Sequence, residues 1–273
     1  MKINFLTWNT QLYEYGNIIH KAKPIKPIDY RTCIEVIHYI MEHMKKDNAI
    51  AILQEIPLNC NKTRSEHIIF TLLRGVFSED EYKILYNKNK RVRNQIKMTV
   101  VIGRKDLIEK DDTGINSEIE DFCNCFYSFL VKPNLRVVAV HQSLREGGYV
   151  SDKLSRKKEY DPFIILGDFN SGDYAKRNET KVFRLNRQNY LDLISQGHYI
   201  DICEGKETRE FIYSNGQIYK TPIDHVLIKK DVIGKILQNI DELKIDDTLK
   251  LSDHYPITFS FDYHYEKNEN NKF

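Results

Sequence analysis

No pair among the five cysteines has the CxxC spacing of a zinc site. Cys33, Cys60, Cys123, Cys125 and Cys203 are odd in number and irregularly spaced, which suits reduced, buried thiols in a reducing compartment better than a disulfide frame. No apolar stretch approaches the ~18 residues needed to cross a bilayer. The opening MKINFLTWNTQ alternates like a strand and lacks the long apolar segment and small-residue cleavage site of a secretory signal. A dominant charge is missing as well. Lys and Arg number 41 against 39 Asp and Glu, a net charge of +2, so charge neither demands nor excludes a polyanionic partner. Internal repeats, coiled-coil heptads and linkers are absent. A soluble, cytoplasmic protein without a membrane segment is the expectation that remains.

The 273 residues are 41% apolar and 29% charged, with 17 tyrosines, enough for a substantial core. Strand-like runs recur at residues 2–9, 49–55, 82–86, 97–103, 126–131, 135–141, 163–168, 210–213, 222–228 and 255–262. Between them, YRTCIEVIHYIMEHMKK repeats apolar residues at helical spacing through Tyr30, Cys33, Ile34, Ile37, Ile40, Met41 and Met44. Asp29 stands before it as an N-cap, and His38 and His43 are placed on its solvent side or rim. Residues 65–77 and 180–196 are weaker helices. Residues 12–29, with Pro24 and Pro27, form a long loop of the kind that often carries function. The pattern predicts one domain over 1–264, of mixed sheets covered by helices, and a polar C-terminal tail over 265–273.

The segment FIILGDFNSGD, residues 163–173, runs an apolar strand into Gly-Asp. Asp168 and Asn170 lie two apart, so on extended backbone both side chains leave from one face. Other apolar runs end similarly: FLTWN on Asn9, AIAILQE on Glu55 and RVVAVH on His141. PIDHVLI sets Asp224 inside a strand, and LSDHYPITF sets Asp253 and His254 just before one. Taken singly, each has an ordinary structural reading, an acid paired in a strand or a histidine hydrogen-bonded in a core. Together they converge, because polar residues at several strand ends meet at one edge of a sheet. Glu55 and Asp253 offer the oxygen ligands that a hard divalent ion takes alongside water and phosphate. Two histidines, one oriented by a carboxylate, suit proton transfer near neutral pH. Asn9 and Asn170 can hold a phosphate oxygen or a water without adding negative charge. The sum is a phosphoester-cleaving site.

WNTQ, LQE, GDFN, IDHVL and SDHYPI, in that order between residues 8 and 257, resemble the motifs of the endonuclease/exonuclease/phosphatase superfamily, the DNase I-like proteins. The resemblance implies a four-layer α/β/β/α sandwich of two packed mixed sheets flanked by helices, with its site at one edge. It makes Asn9 and Glu55 the first metal-site pair and Asp253 a further ligand of Mg²⁺ or Mn²⁺. Asp168 and Asn170 would position the attacking water and the phosphate, and Asp224 would orient His254, the general base. Within the superfamily the water proton goes either to that histidine or to the GDFN aspartate. His141 matches the second histidine of the DNase I-type branch, an acid or a phosphate clamp. Repair-type members usually carry an acidic residue two after the Asn, where this chain has Gln11, which lowers an abasic-site reading. Secreted lipid-cleaving members need export and an apolar hairpin, and the sequence suggests neither.

Residues 87–97, NKNKRVRNQIK, gather Lys88, Lys90, Arg91, Arg93 and Lys97. Such a patch, Arg93 and Asn94 included, could ride a phosphate backbone or be a solvated loop; KLSRKK at 153–158 reads more readily as solvated. A nuclease acting on DNA as a monomer is therefore the leading expectation. The alternative is a phosphatase or phosphodiesterase for a small or lipid-derived phosphoester. A binding module that kept the fold would leave a gap among the motif residues, and none is missing.

Overall fold

The computed structural model describes residues 1–12, 30–60, 65–87, 97–118, 126–142, 161–171, 181–196, 198–212 and 215–265. Two sheets carry the fold. The first has seven strands: β1 (Lys2–Asn9), β2 (Ala49–Ile56), β3 (Tyr82–Tyr86), β4 (Met98–Arg104), β13 (Leu237–Gln238), β14 (Lys244–Ile245) and β15 (Ile257–Tyr263). They run in the order β13-β15-β1-β2-β4-β3, with β14 also on β15. The second sheet has six: β5 (Ile108–Lys110), β6 (Phe126–Val131), β7 (Leu135–His141), β8 (Ile164–Asp168), β9 (Tyr199–Asp201) and β12 (Asp224–Lys229), in the order β5-β6-β7-β8-β12-β9. Both are mixed. Each holds one parallel pair, β1 with β2 and β7 with β8, among antiparallel neighbours.

Strict alternation along the strands makes two faces, and each finds a different cover. Ile3 and Phe5 of β1, Ile50 and Ile52 of β2, Val137 and Ala139 of β7, Ile164 and Leu166 of β8, and Val226 and Ile228 of β12 share one core between the sheets. The opposite face of the first sheet (Leu6, Trp8, Ala51 and Leu53) packs under α1 (Tyr30–Met44) and α2 (Ile68–Val76). That of the second (Val138, Val140, Ile165 and Leu227) packs under α3 (Ile115–Glu118) and α4 (Lys181–Gln196). The layers are helix, sheet, sheet, helix. Each fully buried Ile, Leu, Val or Phe in the central core stabilises it by roughly 1.5–3 kcal/mol before the entropy of ordering it is set against that gain.

The expected long strands and three helices are present. Strands β5, β9, β11 (Ile218–Thr221), β13 and β14 escape the sequence reading because two to four residues are too few for a period to show. On α1 the buried stripe is Cys33, Val36, Ile37, Ile40, His43 and Met44, so the helix is rotated from the expected one. Tyr30, Ile34 and Met41 are exposed, and His43 is buried rather than at the rim. Most of the expected 12–29 loop, with Asp29, lies outside the described residues. No helix among the described residues is long and apolar enough to cross a membrane.

Candidate active site

Strand register brings the polar strand ends to one edge. On β1 the inward residues Ile3, Phe5 and Thr7 are continued by Asn9; on β7, Val137 and Ala139 are continued by His141; on β8, Ile164 and Leu166 are continued by Asp168. Each ends the inward row of its strand, where the inter-sheet core meets solvent. His141 pairs in register with Asp168 across the parallel β7–β8 ladder, and Asp224, opening β12, pairs with Asp168 from the antiparallel side. The segment before β15 closes over the edge: Ser252 Oγ donates to Asn9 O at 2.8 Å and Trp8 Nε1 to His254 O at 3.1 Å.

Glu55 needs a different device, since alternation from Ile50 and Ile52 through Gln54 would turn it toward the helices. The β2–β4 register slips there: Leu53 faces Val100 but Ile56 faces Met98, so β2 carries one extra residue. Glu55 takes a left-handed φ of 59°. This bulge turns Gln54 and Glu55 to the inner side and returns Ile56 to the helix-facing core. Bulges re-aim side chains in this way, and a left-handed non-glycine residue costs about 1–3 kcal/mol that the surroundings must offset.

The gathered side chains form a continuous chain of contacts. Glu55 Oε1 meets Lys97 Nζ and His141 Nε2, each at 3.2 Å. Asp168 Oδ2 accepts from Asn9 Nδ2 at 2.9 Å and from Asn170 Nδ2 at 3.2 Å, and lies 3.8 Å from both His141 Nε2 and His254 Nε2. Asn170, itself at a φ of 46°, donates its backbone N–H to Asp168 Oδ1 at 2.8 Å. His254 Nδ1 sits 2.9 and 3.1 Å from the two oxygens of Asp224, which fixes the ring and leaves Nε2 facing Asp168 and, at 3.7 Å, Asp253 Oδ1. Arg209 places Nε and Nη2 on Asp253 Oδ2 at 2.8 and 2.6 Å.

Burial and charge pull against each other here. For His254, burial disfavours the cation, but Asp224, Asp253 and Asp168 outweigh it and raise its pKa to about 9. For Glu55, burial favours the neutral acid, yet His141, Lys97 and His254 bring its pKa down to about 2. Asp168 moves up, because its burial and the charge of Asp224 outweigh the two histidines. The site thus separates a firmly ionised acid from one held closer to protonation, a division of labour suited to proton transfer.

Of the sequence-derived residues, Asn9, Glu55, His141, Asp168, Asn170, Asp224, Asp253 and His254 meet at this edge. Arg93 and Asn94, with most of the 87–97 patch and all of 153–158, lie outside the described residues. Asn9 is joined to Asp168 rather than bonded to Glu55, and its Oδ1 accepts from Gln11 N. Among the described residues, Asp168, Asp224 and His254 have ligand atoms within 4.8 Å of one another, but both Asp224 oxygens already face His254. The fit to a cation rests instead on Glu55 Oε2 and Asp253 Oδ1, buried carboxylate oxygens without a hydrogen-bond partner, which a hard divalent ion would satisfy. Sequence reasoning missed Arg209: in KETREF it is one charge among several, and only the bridge pairing it with His254 brings it to Asp253. It also missed an apolar hairpin. β10 (Arg209–Ile212) and β11 expose Phe211, Ile212 and Ile218 beside Asp253.

Neither a family model nor a curated protein matches the sequence. Solved structures do match. An endonuclease/exonuclease/phosphatase from Bacteroides vulgatus superposes with a TM-score of 0.60 at 16% identity, over 97% of this chain and 100% of that one. An AP endonuclease from Leishmania major gives 0.58 at 15%, over 97% and 88%. TDP2 of D. rerio, complexed with a single-strand DNA product, gives 0.56 at 12%, over 96% and 99%. The fold is that of the DNase I-like proteins.

Proposed function

We propose that this chain, a DNase I-like sandwich, is a metal-dependent phosphodiester hydrolase that cleaves nucleic acid, DNA foremost, by in-line attack of an activated water. One observation carries the reading: the Asp224–His254 dyad, Asp168 with its two asparagines, and the Glu55–His141 pair face one another at a single sheet edge. Fold alone assigns no substrate; that the compared structures include an AP endonuclease and a TDP2 with a DNA product supports nucleic acid first.

Asp224 holds the His254 ring with Nε2 toward the water. The carboxylates that raise its pKa to about 9 keep Nε2 protonated at neutral pH. It therefore takes the water proton only in the fraction of molecules whose ring has lost its own, and turnover should climb as pH rises toward 9. Asp168, beside Nε2, orients that water, while Asn170 and His141 hold phosphoryl oxygen. Glu55, Asn9 and Asp253 are the residues that would hold Mg²⁺ or Mn²⁺. The bound ion supplies neutralisation of charge building on the phosphoryl oxygens. The arrangement is crowded with carboxylates, so a substrate phosphate meets Lys97 and Arg209 as its nearby positive charges.

A supercoiled plasmid incubated with Mg²⁺, Mn²⁺ or EDTA, beside a panel of small phosphoesters, tests this reading. Nicking with either ion and none in EDTA is expected. Intact plasmid with a hydrolysed small or lipid-derived ester would replace DNA by the second reading, which the exposed Phe211, Ile212 and Ile218 beside the site favour.

A further inference from the structure

Behind the catalytic edge, on the face of the second sheet covered by α4, lies a set of polar residues that the chemistry above does not use. Ser171 Oγ is 2.7 Å from His225 Nε2, His225 Nδ1 is 2.7 Å from Asp201 Oδ2, and Tyr190 OH donates to the same oxygen at 2.7 Å. Ser171 and His225 are each 4% exposed and the Asp201 side chain 1%. The His225 ring stacks on Tyr190 at 4.0 Å and meets Phe169 edge-on at 5.5 Å. Burial pushes the Asp201 carboxyl up, but bonds from His225, Tyr190 and the Cys203 backbone N–H hold it below its ordinary range. An ionised Asp201 turns Nδ1–H toward itself, which leaves Nε2 to bond the Ser171 hydroxyl.

Serine, histidine and aspartate in this order have the connectivity of a nucleophilic triad. A nucleophile must reach its substrate, however, and the Ser171 hydroxyl is spent on His225 in the interior. The placement points elsewhere. Ser171 directly follows Asn170, and His225 directly follows Asp224. On the inner side of the sheet, the turn carries Asp168 and Asn170, while β12 carries Asp224, which holds His254; on the outer side, Ser171 and His225 join these same two segments through their side chains. Along the backbone, the β8–β12 ladder pairs Asp168 with Asp224, and Phe169 N reaches Ile223 O at 2.9 Å. Past Phe169, the Ser171–His225 bond continues the tie between the GDFNS turn and β12.

We infer that Ser171, His225, Asp201 and Tyr190 form a buried positioning relay that sets the spacing between Asn170 and Asp224, and through Asp224 the aim of His254. None of the four touches substrate. Loosening the relay lets the turn bearing Asn170 drift from the dyad, and a displacement well under 1 Å is enough to slow a reaction that depends on alignment. The inference rests on the catalytic reading only for its kinetic consequence; the geometric link is independent of it.

Ser171→Ala and His225→Phe, singly and together, test the relay; the phenylalanine keeps the stacking on Tyr190 and removes both hydrogen bonds. With the hydrolysed substrate, kcat per folded molecule should fall about 10-fold in each while KM stays within 2-fold. The double variant should be no slower than the worse single one, as expected for residues acting as a unit. In the same proteins, the ¹⁵N-labelled ring signal of His254 should shift although neither residue contacts it. Unchanged kcat, or a multiplicative double variant, overturns the relay. If the wild type hydrolyses no phosphoester, the catalytic reading fails instead and the His254 signal decides: an unmoved resonance in Ser171→Ala overturns the relay. Should His225→Phe not fold, Ser171→Ala, which deletes one oxygen, gives both readouts.

Discussion

Asp224 commits both carboxylate oxygens to one nitrogen of His254. An aspartate so used selects a tautomer and holds a ring more than it exchanges protons. Asp224→Asn keeps the volume and presents either an amide oxygen or an NH₂ group to Nδ1, so the ring loses its charged partner and can settle in the wrong tautomer. On the nuclease reading, kcat should fall by about 10³–10⁴-fold with KM nearly unchanged, the size seen when a triad aspartate becomes asparagine. Circular dichroism and thermal midpoint should stay close to wild type. A kcat within 10-fold of wild type would remove the dyad from the mechanism. Asp253 shows a different use of the same chemistry: one oxygen is neutralised by Arg209, and the other is left buried without a donor. The pairing thus trims the site's negative charge while keeping an acceptor directed into it.

At the scale of the element, α1 shows what a stripe drawn from apolar letters misses. Its buried face includes His43, three residues on from Ile40, where apolar counting puts a rim residue. Burial first, then the Lys46 charge, lowers the His43 pKa from about 6.5 to about 4, against weaker support from the backbone of Asn4 and Ile50. The sign follows: the unfolded chain takes up this proton first as pH falls, so stability is full above pH 6.5 and declines as pH drops toward 4. The loss approaches about 3 kcal/mol. Urea denaturation of His43→Leu at pH 7.5 and pH 5 should show a smaller drop than wild type; equal drops would mean the ring charges in place. Strand ends, by contrast, were legible. Asn9, His141, Asp168 and Asp224 continue inward-facing rows at period two, so each strand's own phase places its polar terminus. Glu55 was legible only as a residue type, since the bulge that turns it inward breaks the phase the letters obey. Arg209 was not legible at all. Its partner Asp253 is 44 residues away, and the hairpin that delivers it has strands of four residues.

Over the whole molecule, each sheet owns part of the site: Asn9, Glu55 and the His254 segment belong to the first, His141, Asp168, Asn170 and Asp224 to the second. The geometry of the proposed site therefore depends on how closely the sheets approach at this one edge. Gly167, in register with Val140 on β7, lies against Gln54 of the opposite sheet. Its φ of 129° is one that side-chain-bearing residues rarely adopt, and a Cβ there would fall 2.1 Å from Val140 O and 2.9 Å from Gln54 Nε2. The first atom belongs to the neighbouring strand's backbone. The second is a side chain of the opposite sheet, anchored on Thr7 Oγ1 at 3.1 Å. A methyl group cannot be relieved by a rotamer change against a backbone oxygen, so β7 and β8 would have to separate, carrying His141 and Asp168 with them. Gly167→Ala should cost more than about 3 kcal/mol in urea denaturation, from positive-φ strain and overpacking together. Any folded fraction should lose activity on the nuclease reading, because the two residues moved are the register pair at its centre. A variant with wild-type stability would show that the sheets have slack at this edge, and the dependence of the site on their close approach would have to be given up.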